Sequence, residues 1–365
     1  MTLSLADELR KELNKGKKGN PVAWDLAGDN PTQVKTWIST GSTLLDYIIS
    51  NKRNGGVPVG KLTTFAGDSA SGKSLIGTHI MANCQKMGGL AVYIDTENSA
   101  SPEFMEQLGL DTKKNFMYVQ PGTVEEVFET IEKLIVLVRE KAPERLVCIV
   151  WDSVAGTPTK AEIDGDYDPN SRIGLTAKAL SKGMKKLTTT FGQEQIAMVF
   201  ISQLKIQIGV MYGDNRIEPG GKAIPYHASS RVWLTQHKGK ADGQIINDRK
   251  QVIGFRTSAV TKKSRFGPSP RRAEFSIMFD LENGNVGIDD VGSWLKVIGG
   301  TPACPRSGSW YSLEVSGKER KFQAKEFCSL IEEDKKFRER VLDILEDECR
   351  IGKKVGRTDE EEEAK

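Results

Sequence analysis

Eight consecutive residues, Gly67-Asp68-Ser69-Ala70-Ser71-Gly72-Lys73-Ser74, follow the spacing G-x-x-x-x-G-K-[ST] at every fixed position. A chain carrying this octapeptide between a strand and a helix is constrained to an α/β fold in which the helix N-terminus faces an anion. The flanks agree. KLTTFAG, from Lys61, reads as a strand, and SLIGTHIMANCQKMG, from Ser74, reads as a helix. At Gly67 and Gly72 a Cβ would obstruct backbone N–H groups turned inward around phosphate oxygens. Lys73 brings a positive charge to β/γ-phosphates, and the Ser74 hydroxyl suits Mg²⁺. Asp68, Ser69, Ala70, Ser71 and Leu75 complete the expected nucleotide-binding set. The bland alternative is a chance Gly-rich turn, which the order strand, loop, helix disfavours.

The rest of the composition sets limits. The chain has 365 residues, enough for a large core and more than one domain. No run approaches the roughly 18–20 apolar residues of a membrane-spanning helix. The N-terminal MTLSLADELRKELNKGKK has no signal-peptide core, so the cytosol is the expected location. Cys84 and Cys148 lie in apolar runs and read as small buried hydrophobes. A net charge of +3 does not by itself announce nucleic acid, so any such site must be a local patch.

Leu3, Leu5, Leu9 and Leu13 repeat near a helical period, and a polar linker follows. From about 37 to 290, strands alternate with helices. The strands are LAVYIDTE (90–97), RLVCIVWDSV (145–154), IAMVFISQL (196–204), RVWLTQH and FRTSAVTKKS; the helices are 124–140 and 176–193. Apolar strands separated by helices imply a mainly parallel sheet covered on both faces. Beyond about 291 come a Gly/Ser/aromatic stretch, a charged helical run over 325–350 and an acidic end.

A nucleoside triphosphatase needs a carboxylate near Mg²⁺ and a group that orients or deprotonates water. Asp152 ends an apolar strand and is the Mg²⁺-side candidate, together with Ser74. Glu97, just past another strand end, is the candidate base. Asp95, two residues earlier, reads as structural. Gln203 ends a third strand, where its carboxamide can report a terminal phosphate. Both carboxylates also admit plainer readings as caps, and Gln203 as a strand-end amide.

After Gln203 comes KIQIGVMYGDNRIEPGGKAIP, rich in glycine, basic side chains and apolar residues, as a stretched single strand requires. A second such segment is EIDGDYDPNSRIG (162–174), more acidic, with Arg172 and Ile173. TKKSRFGPSPRR (261–272) is a basic cluster. Each also reads as a mobile loop or a solvated edge.

Together these segments resemble the RecA-type recombinases, and the departures noted below point to a bacteriophage member. The likeness rests on ISTGSTLLDYIIS, YIDTENSASPEFMEQLG, WDSVAGTPTKAEIDG, ISQLKIQIGVMYG and GGKAIPYHASSRVWL, in that order, with a weaker continuation in SGSWYSLEVSGKERKFQAKEFCSLI. It implies an N-terminal oligomerisation helix and linker (1–36), a RecA-like P-loop core with a mainly parallel sheet (37–290), a small α+β C-terminal domain (291–356) and an acidic tail (357–365). The implied function is ATP- and Mg²⁺-dependent pairing and strand exchange in recombinational repair. Single-stranded DNA, homologous duplex, a helical homo-filament, and single-strand-binding and loader proteins are the implied partners.

The resemblance also assigns roles. Glu97 is the catalytic glutamate, Asp152 the second-motif carboxylate and Gln203 the coupling residue. Lys263 and Arg265 reach the γ-phosphate of a neighbour. Ser101 and Phe104 lie beside adenine. Arg172, Lys185, Lys205, Gln207, Ile208, Gly220 and Gly221 meet DNA, Ile208 as an apolar wedge, and Tyr226 is a subunit contact. The first DNA loop is longer and more acidic than the family pattern, with Asp164, Asp166 and Asp168, and Ser101 replaces an acidic residue. A ring helicase on the same core and a P-loop small-molecule kinase are the competing readings.

Overall fold

The computed structural model describes residues 4–17, 21–26, 28, 30, 32–165, 174–207, 209 and 214–352. Arg172, Ile173, Ile208, Asp166, Asp168 and the acidic tail lie outside the described residues.

Ten strands form the central sheet: β1 (Leu62–Gly67), β2 (Leu90–Asp95), β3 (Phe116–Val119), β4 (Val147–Asp152), β5 (Ile196–Gln203), β6 (Ser230–Gln236), β7 (Gln244–Ile246), β8 (Val252–Ser264), β9 (Arg272–Asp280) and β10 (Asn285–Asp289). Their order is β10-β9-β8-β6-β1-β5-β4-β2-β3, with β7 paired to β8. From β6 to β3 every neighbour is parallel. Beyond β6 the sheet is antiparallel. The expected parallel core is therefore present, and a hairpin meander extends one edge.

Side-chain alternation along the strands divides the core into two layers. Ala91, Tyr93, Cys148, Val150, Ala197, Val199 and Ile201 face the layer that holds Ile76 and Ile80 of the helix Lys73–Lys86. Val92, Ile94, Ile149, Trp151, Met198 and Phe200 face the layer of the helices Val124–Lys141 and Leu175–Gln193. Helices cover both faces because β2, β4 and β5 are apolar on both. The first of these helices lies very close to the sheet. A Cβ at Gly77 would sit 2.9 Å from Ile201 Cδ1.

The C-terminal region forms a three-stranded antiparallel sheet (Arg306–Ser307, Trp310–Val315, Lys318–Gln323) and the helices Phe327–Glu333 and Lys335–Cys349. The charged run read as one helix is broken at Asp334, whose side chain caps the second helix by accepting from Phe337 N at 3.0 Å. Phe322, Phe327 and Phe337 belong to the same apolar cluster as Phe65 and Ile76. Arg271 ties the two parts together by donating to the carbonyls of Tyr47 and Cys349 and to Asn51 Oδ1.

The N-terminal helix runs Leu5–Asn14 with Ser4 and Asp7 in a capping box. It buries no residue, and Leu5, Leu9 and Leu13 are all more than half exposed. Among the described residues no helix is long and apolar enough to cross a membrane.

Candidate nucleotide and DNA site

The four residues expected to act on a nucleotide stand at the carboxyl ends of adjacent strands. Asp95 pairs with Asp152 across β2 and β4, and Gly67 pairs with Gln203 across β1 and β5. Strand register alone thus brings the phosphate loop, Asp152 and Gln203 to one edge, with Glu97 two residues beyond Asp95.

Gly67 ends β1 where a Cβ would fall 2.6 Å from Leu234 O and 2.5 Å from Ser71 Oγ. The loop closes through Ala70 (φ 59°) and Gly72 (φ 93°), both left-handed, before the helix begins at Lys73. The Lys73 ammonium donates to Asp68 O at 2.7 Å, so it lies over the loop. Burial lowers its pKa, against the opposing charges of Asp152, Glu97 and Asp68. Ser74 Oγ donates to Asp152 Oδ2 at 2.5 Å, and Tyr93 OH donates to the same oxygen at 3.1 Å. Burial raises the pKa of Asp152. The hydrogen bonds from Ser74 and Tyr93 and the charge of Lys73 work against that rise, while Glu97 adds to it.

Asp95 is buried and accepts from Glu97 N (3.1 Å), Ser99 N (2.9 Å), Ala100 N (3.0 Å) and Tyr118 OH (3.0 Å). Its structural reading is correct in detail: it organises the turn that presents Glu97. The Ser153 hydroxyl donates to Glu97 Oε1, just past a cis Asp152–Ser153 peptide. A Cβ at Gly156 would come within 2.8 Å of the same oxygen. Glu97 is exposed, and its carboxylate is held by the Ser153 hydroxyl.

Beside the loop lies a cavity of about 210 Å³, lined by Ala70–Leu75 and by Phe104, Phe255 and Phe279. Phe104 and Phe279 stack at 6.3 Å, and Phe255 lies 5.5 Å from Phe279. Phe104, expected beside adenine, is part of this lining. Ser101 is not in the lining; its hydroxyl accepts from Phe104 N at 3.4 Å and caps the short helix Pro102–Gln107. Phe255 and Phe279 were missed, as were Tyr93 and Ser153. Tyr93 carries a legible signal, since it lies two residues before Asp95 on the same strand and faces the same layer. The two phenylalanines come from the antiparallel meander and give no local signal.

The residues expected to reach a neighbour are not near this chain's own phosphate loop. Lys263 pairs with Arg231, which pairs with Thr64, three residues short of Gly67. The Lys263 ammonium donates to Pro225 O (2.7 Å) and Tyr226 O (3.2 Å). Lys185, Lys263 and Arg265 together surround His227, whose pKa is lowered by burial first and then by these three charges. Tyr226, 68% exposed, projects from the same place.

The segment after Gln203 is not wholly irregular, as the sequence suggested. Lys205–Ile206 pairs with Arg216–Ile217 as a hairpin stem, and Gln207 N donates to Asn215 O at 2.7 Å. Lys205 and Gln207 are exposed on it. Gly220 (φ 97°) and Gly221 (φ 69°) meet the helix Leu175–Gln193 closely: added Cβ atoms would lie 2.7 Å from Leu180 Cδ1 and 2.9 Å from Ala177 Cβ. These glycines have a packing reason independent of any ligand.

The family model described as the RecA N-terminal domain matches residues 8–284. The chain belongs to the RecA family of ATP-dependent recombinases. Among similar proteins, each called protein RecA, one from Clostridium novyi is 33% identical over 339 residues, covering 91% of this chain and 89% of its own. One from Bacteroides thetaiotaomicron is 35% identical, covering 84% of each. One from Ruminococcus albus is 34% identical over 84% of this chain and 70% of its own. Use of a nucleotide and Mg²⁺, binding of DNA and filament formation follow for this recombinase from that membership. The helicase and kinase alternatives gain nothing from these matches.

The described residues fit a bound nucleotide and Mg²⁺. Ser71 Oγ is buried beside the loop without a hydrogen-bond partner. The ammonium of Lys73, the paired oxygens of Ser74 and Asp152, and an aromatic-walled cavity adjoin it.

Proposed function

We propose that this recombinase hydrolyses ATP between neighbouring subunits of a filament on single-stranded DNA and couples that cycle to strand exchange. The observation that carries the reading is a division within the chain. The phosphate loop, Glu97, Asp152 and Gln203 share one sheet edge, while Arg265 and Tyr226, both exposed, and the half-buried Lys263 form a separate cationic face. A complete hydrolytic site with cations on the γ-phosphate therefore needs two subunits.

In this reading Gly67–Ser74 hold the phosphates and Ser74 and Asp152 hold Mg²⁺. Held there, Mg²⁺ would supply neutralisation of the phosphate charge during transfer. Glu97, fixed by Ser153, orients and deprotonates the attacking water. Phe104, Phe255 and Phe279 take the base. Gln203, adjacent to Gly67 in register, passes the state of the γ-phosphate to the hairpin that begins at Lys205. Lys185, Lys205, Gln207, Gly220 and Gly221, with Arg172 and Ile208, contact DNA. Homology is then read by base pairing rather than by side chains. The uncovered leucine stripe of Leu5–Asn14 docks on the next subunit. Action in the cytosol, with single-strand-binding and loader proteins, completes the proposal.

Electron microscopy with single-stranded DNA and a slowly hydrolysed ATP analogue tests it. Open helical filaments are expected, and their loss in the Lys263→Ala/Arg265→Ala variant with nucleotide binding retained. Closed rings alone would refute the filament.

A further inference from the structure

Trp233 of β6 lies beside the phosphate loop, since it pairs with Ala66 and its neighbour Leu234 pairs with Gly67. Its ring is covered by two cations. Lys262 Nζ stands 4.1 Å from the ring centroid and the Arg216 guanidinium 5.3 Å. The indole N–H donates to Glu218 Oε1 at 2.5 Å, and Arg231 Nη2 contacts that carboxylate at 3.1 Å. Glu218, with a side chain only 2% exposed, is thus committed to Trp233 and Arg231.

The two cations on the ring share a different anion. Asp214 accepts from Arg216 Nε (2.9 Å) and Nη2 (3.2 Å) in a bidentate fork, and from Lys262 Nζ at 3.1 Å. The hydrogen bonds from Arg216 hold the Asp214 carboxyl well below the usual range, and Lys262 reinforces them. Arg216 Nη1 is fixed separately on Thr235 Oγ1 at 3.0 Å. The guanidinium is therefore oriented by Thr235 and Trp233 as well as by Asp214. Asp214, Arg216 and Lys262 are each about one-third exposed, so the site opens to solvent at the root of the proposed DNA hairpin.

A fork of Arg N–H donors with a lysine ammonium beside it is the geometry that accepts a phosphate dianion or diester as readily as a carboxylate. We propose that Arg216 and Lys262 on Trp233 form a phosphate-binding site for the single-strand backbone, and that Asp214 is a built-in phosphate mimic which DNA displaces. The site rests on the reading that the segment after Gln203 contacts DNA. The charge of Asp68 also acts on Arg216, so the site adjoins the phosphate loop as well as the hairpin. Displacement exchanges one anion for another: the single charge of Asp214 offsets about half of the charge of the two cations in the free protein and limits binding to anions that outcompete a tethered carboxylate.

The experiment is salt-dependent binding of a fluorescent single strand by the full chain with Mg²⁺ and a slowly hydrolysed ATP analogue. Asp214→Asn should tighten binding about fivefold, the scale of a partly exposed ion pair. It should also steepen the slope of log K against log salt by about 0.7, one phosphate's worth for a single strand. Asp214→Glu should behave as wild type. Adding Arg216→Ala and Lys262→Ala to Asp214→Asn should abolish both changes. An unchanged slope in Asp214→Asn, or weaker binding rescued by Asp214→Glu, means that Asp214 only braces the hairpin and overturns the proposal. A parallel arm uses inorganic phosphate at constant ionic strength. If phosphate protects Asp214→Asn from thermal unfolding while its DNA slope stays at the wild-type value, the site serves a free anion and the DNA assignment fails. If the wild type binds no single strand at all, the underlying functional reading fails instead.

Discussion

Ser74 Oγ and Asp152 Oδ2 are joined by a 2.5 Å hydrogen bond that links the first turn of the helix Lys73–Lys86 to the end of β4. The two residues are 78 positions apart, yet strand register and a helix close-packed through Gly77 bring them together. In the proposed function this pair is the place for Mg²⁺, and Tyr93 OH donates to the same carboxylate.

Asp152→Asn keeps the shape of that pair and removes its charge. ATP hydrolysis is expected to fall by about 10²-fold, the scale for deleting one preorganised electrostatic group. Stability without Mg²⁺ should not fall, because the buried carboxyl is already disfavoured as an anion. Steady-state hydrolysis and thermal melting in EDTA check both halves. A large drop in melting temperature would mean that Asp152 is chiefly structural.

Glu97→Gln removes the proposed base and should lower hydrolysis by roughly 10²–10⁴-fold with nucleotide affinity retained. Ser153→Ala leaves Glu97 in place but frees its carboxylate, so an intermediate loss in kcat is expected. Rapid-quench hydrolysis with parallel nucleotide titration separates the two. Equal and complete loss of nucleotide binding in Glu97→Gln would contradict the assignment.

Phe255→Ala or Phe279→Ala opens the aromatic wall of the cavity. Each should weaken ATP binding about five- to tenfold, consistent with losing one aromatic contact of roughly 1 kcal/mol. The kcat should change little, because neither Glu97 nor Asp152 lines this cavity. Isothermal titration with ATP and with a ribose triphosphate lacking the base is the check: the variants should lose affinity only for the former.

Asp46 gives a pH signature away from the site. Burial pushes its carboxyl up to about 7, against hydrogen bonds from Ser39 and Thr40, and Asp290 raises it further. Between the ordinary carboxylate value near ~3.9 and 7, the folded chain keeps this proton and the unfolded chain does not. Stability from this group is therefore full at low pH and lost as pH rises through that window. The melting temperature of wild type minus that of Asp46→Asn should fall steadily from pH 4.5 to 7.5. A difference that does not vary with pH would place the Asp46 proton elsewhere.

The legible parts of the structure were those in which chemistry and secondary structure share one segment. Gly67–Ser74, Asp152 and Gln203 each end an apolar strand, so their convergence follows from parallel pairing alone. The aromatic wall was not legible, because Phe255 and Phe279 come from the antiparallel meander and meet Phe104 only in three dimensions. Ser101 shows the opposite case. The resemblance puts it beside adenine, while a Ser before Pro102 and Glu103 is also a strong helix cap, and its hydroxyl caps the short helix here. The cage on Trp233 was hidden for a further reason: Arg216, Lys262 and Trp233 read separately as loop, basic cluster and strand.

In the proposed function this chain exchanges DNA strands under the control of ATP. The most direct measurement is joint-molecule formation between a circular single strand and a homologous linear duplex. Wild type with ATP and Mg²⁺ is expected to form joint molecules, and no product should form without nucleotide or with a heterologous duplex. Active DNA-stimulated ATP hydrolysis by the wild type with no joint molecules under any of these conditions would contradict the account.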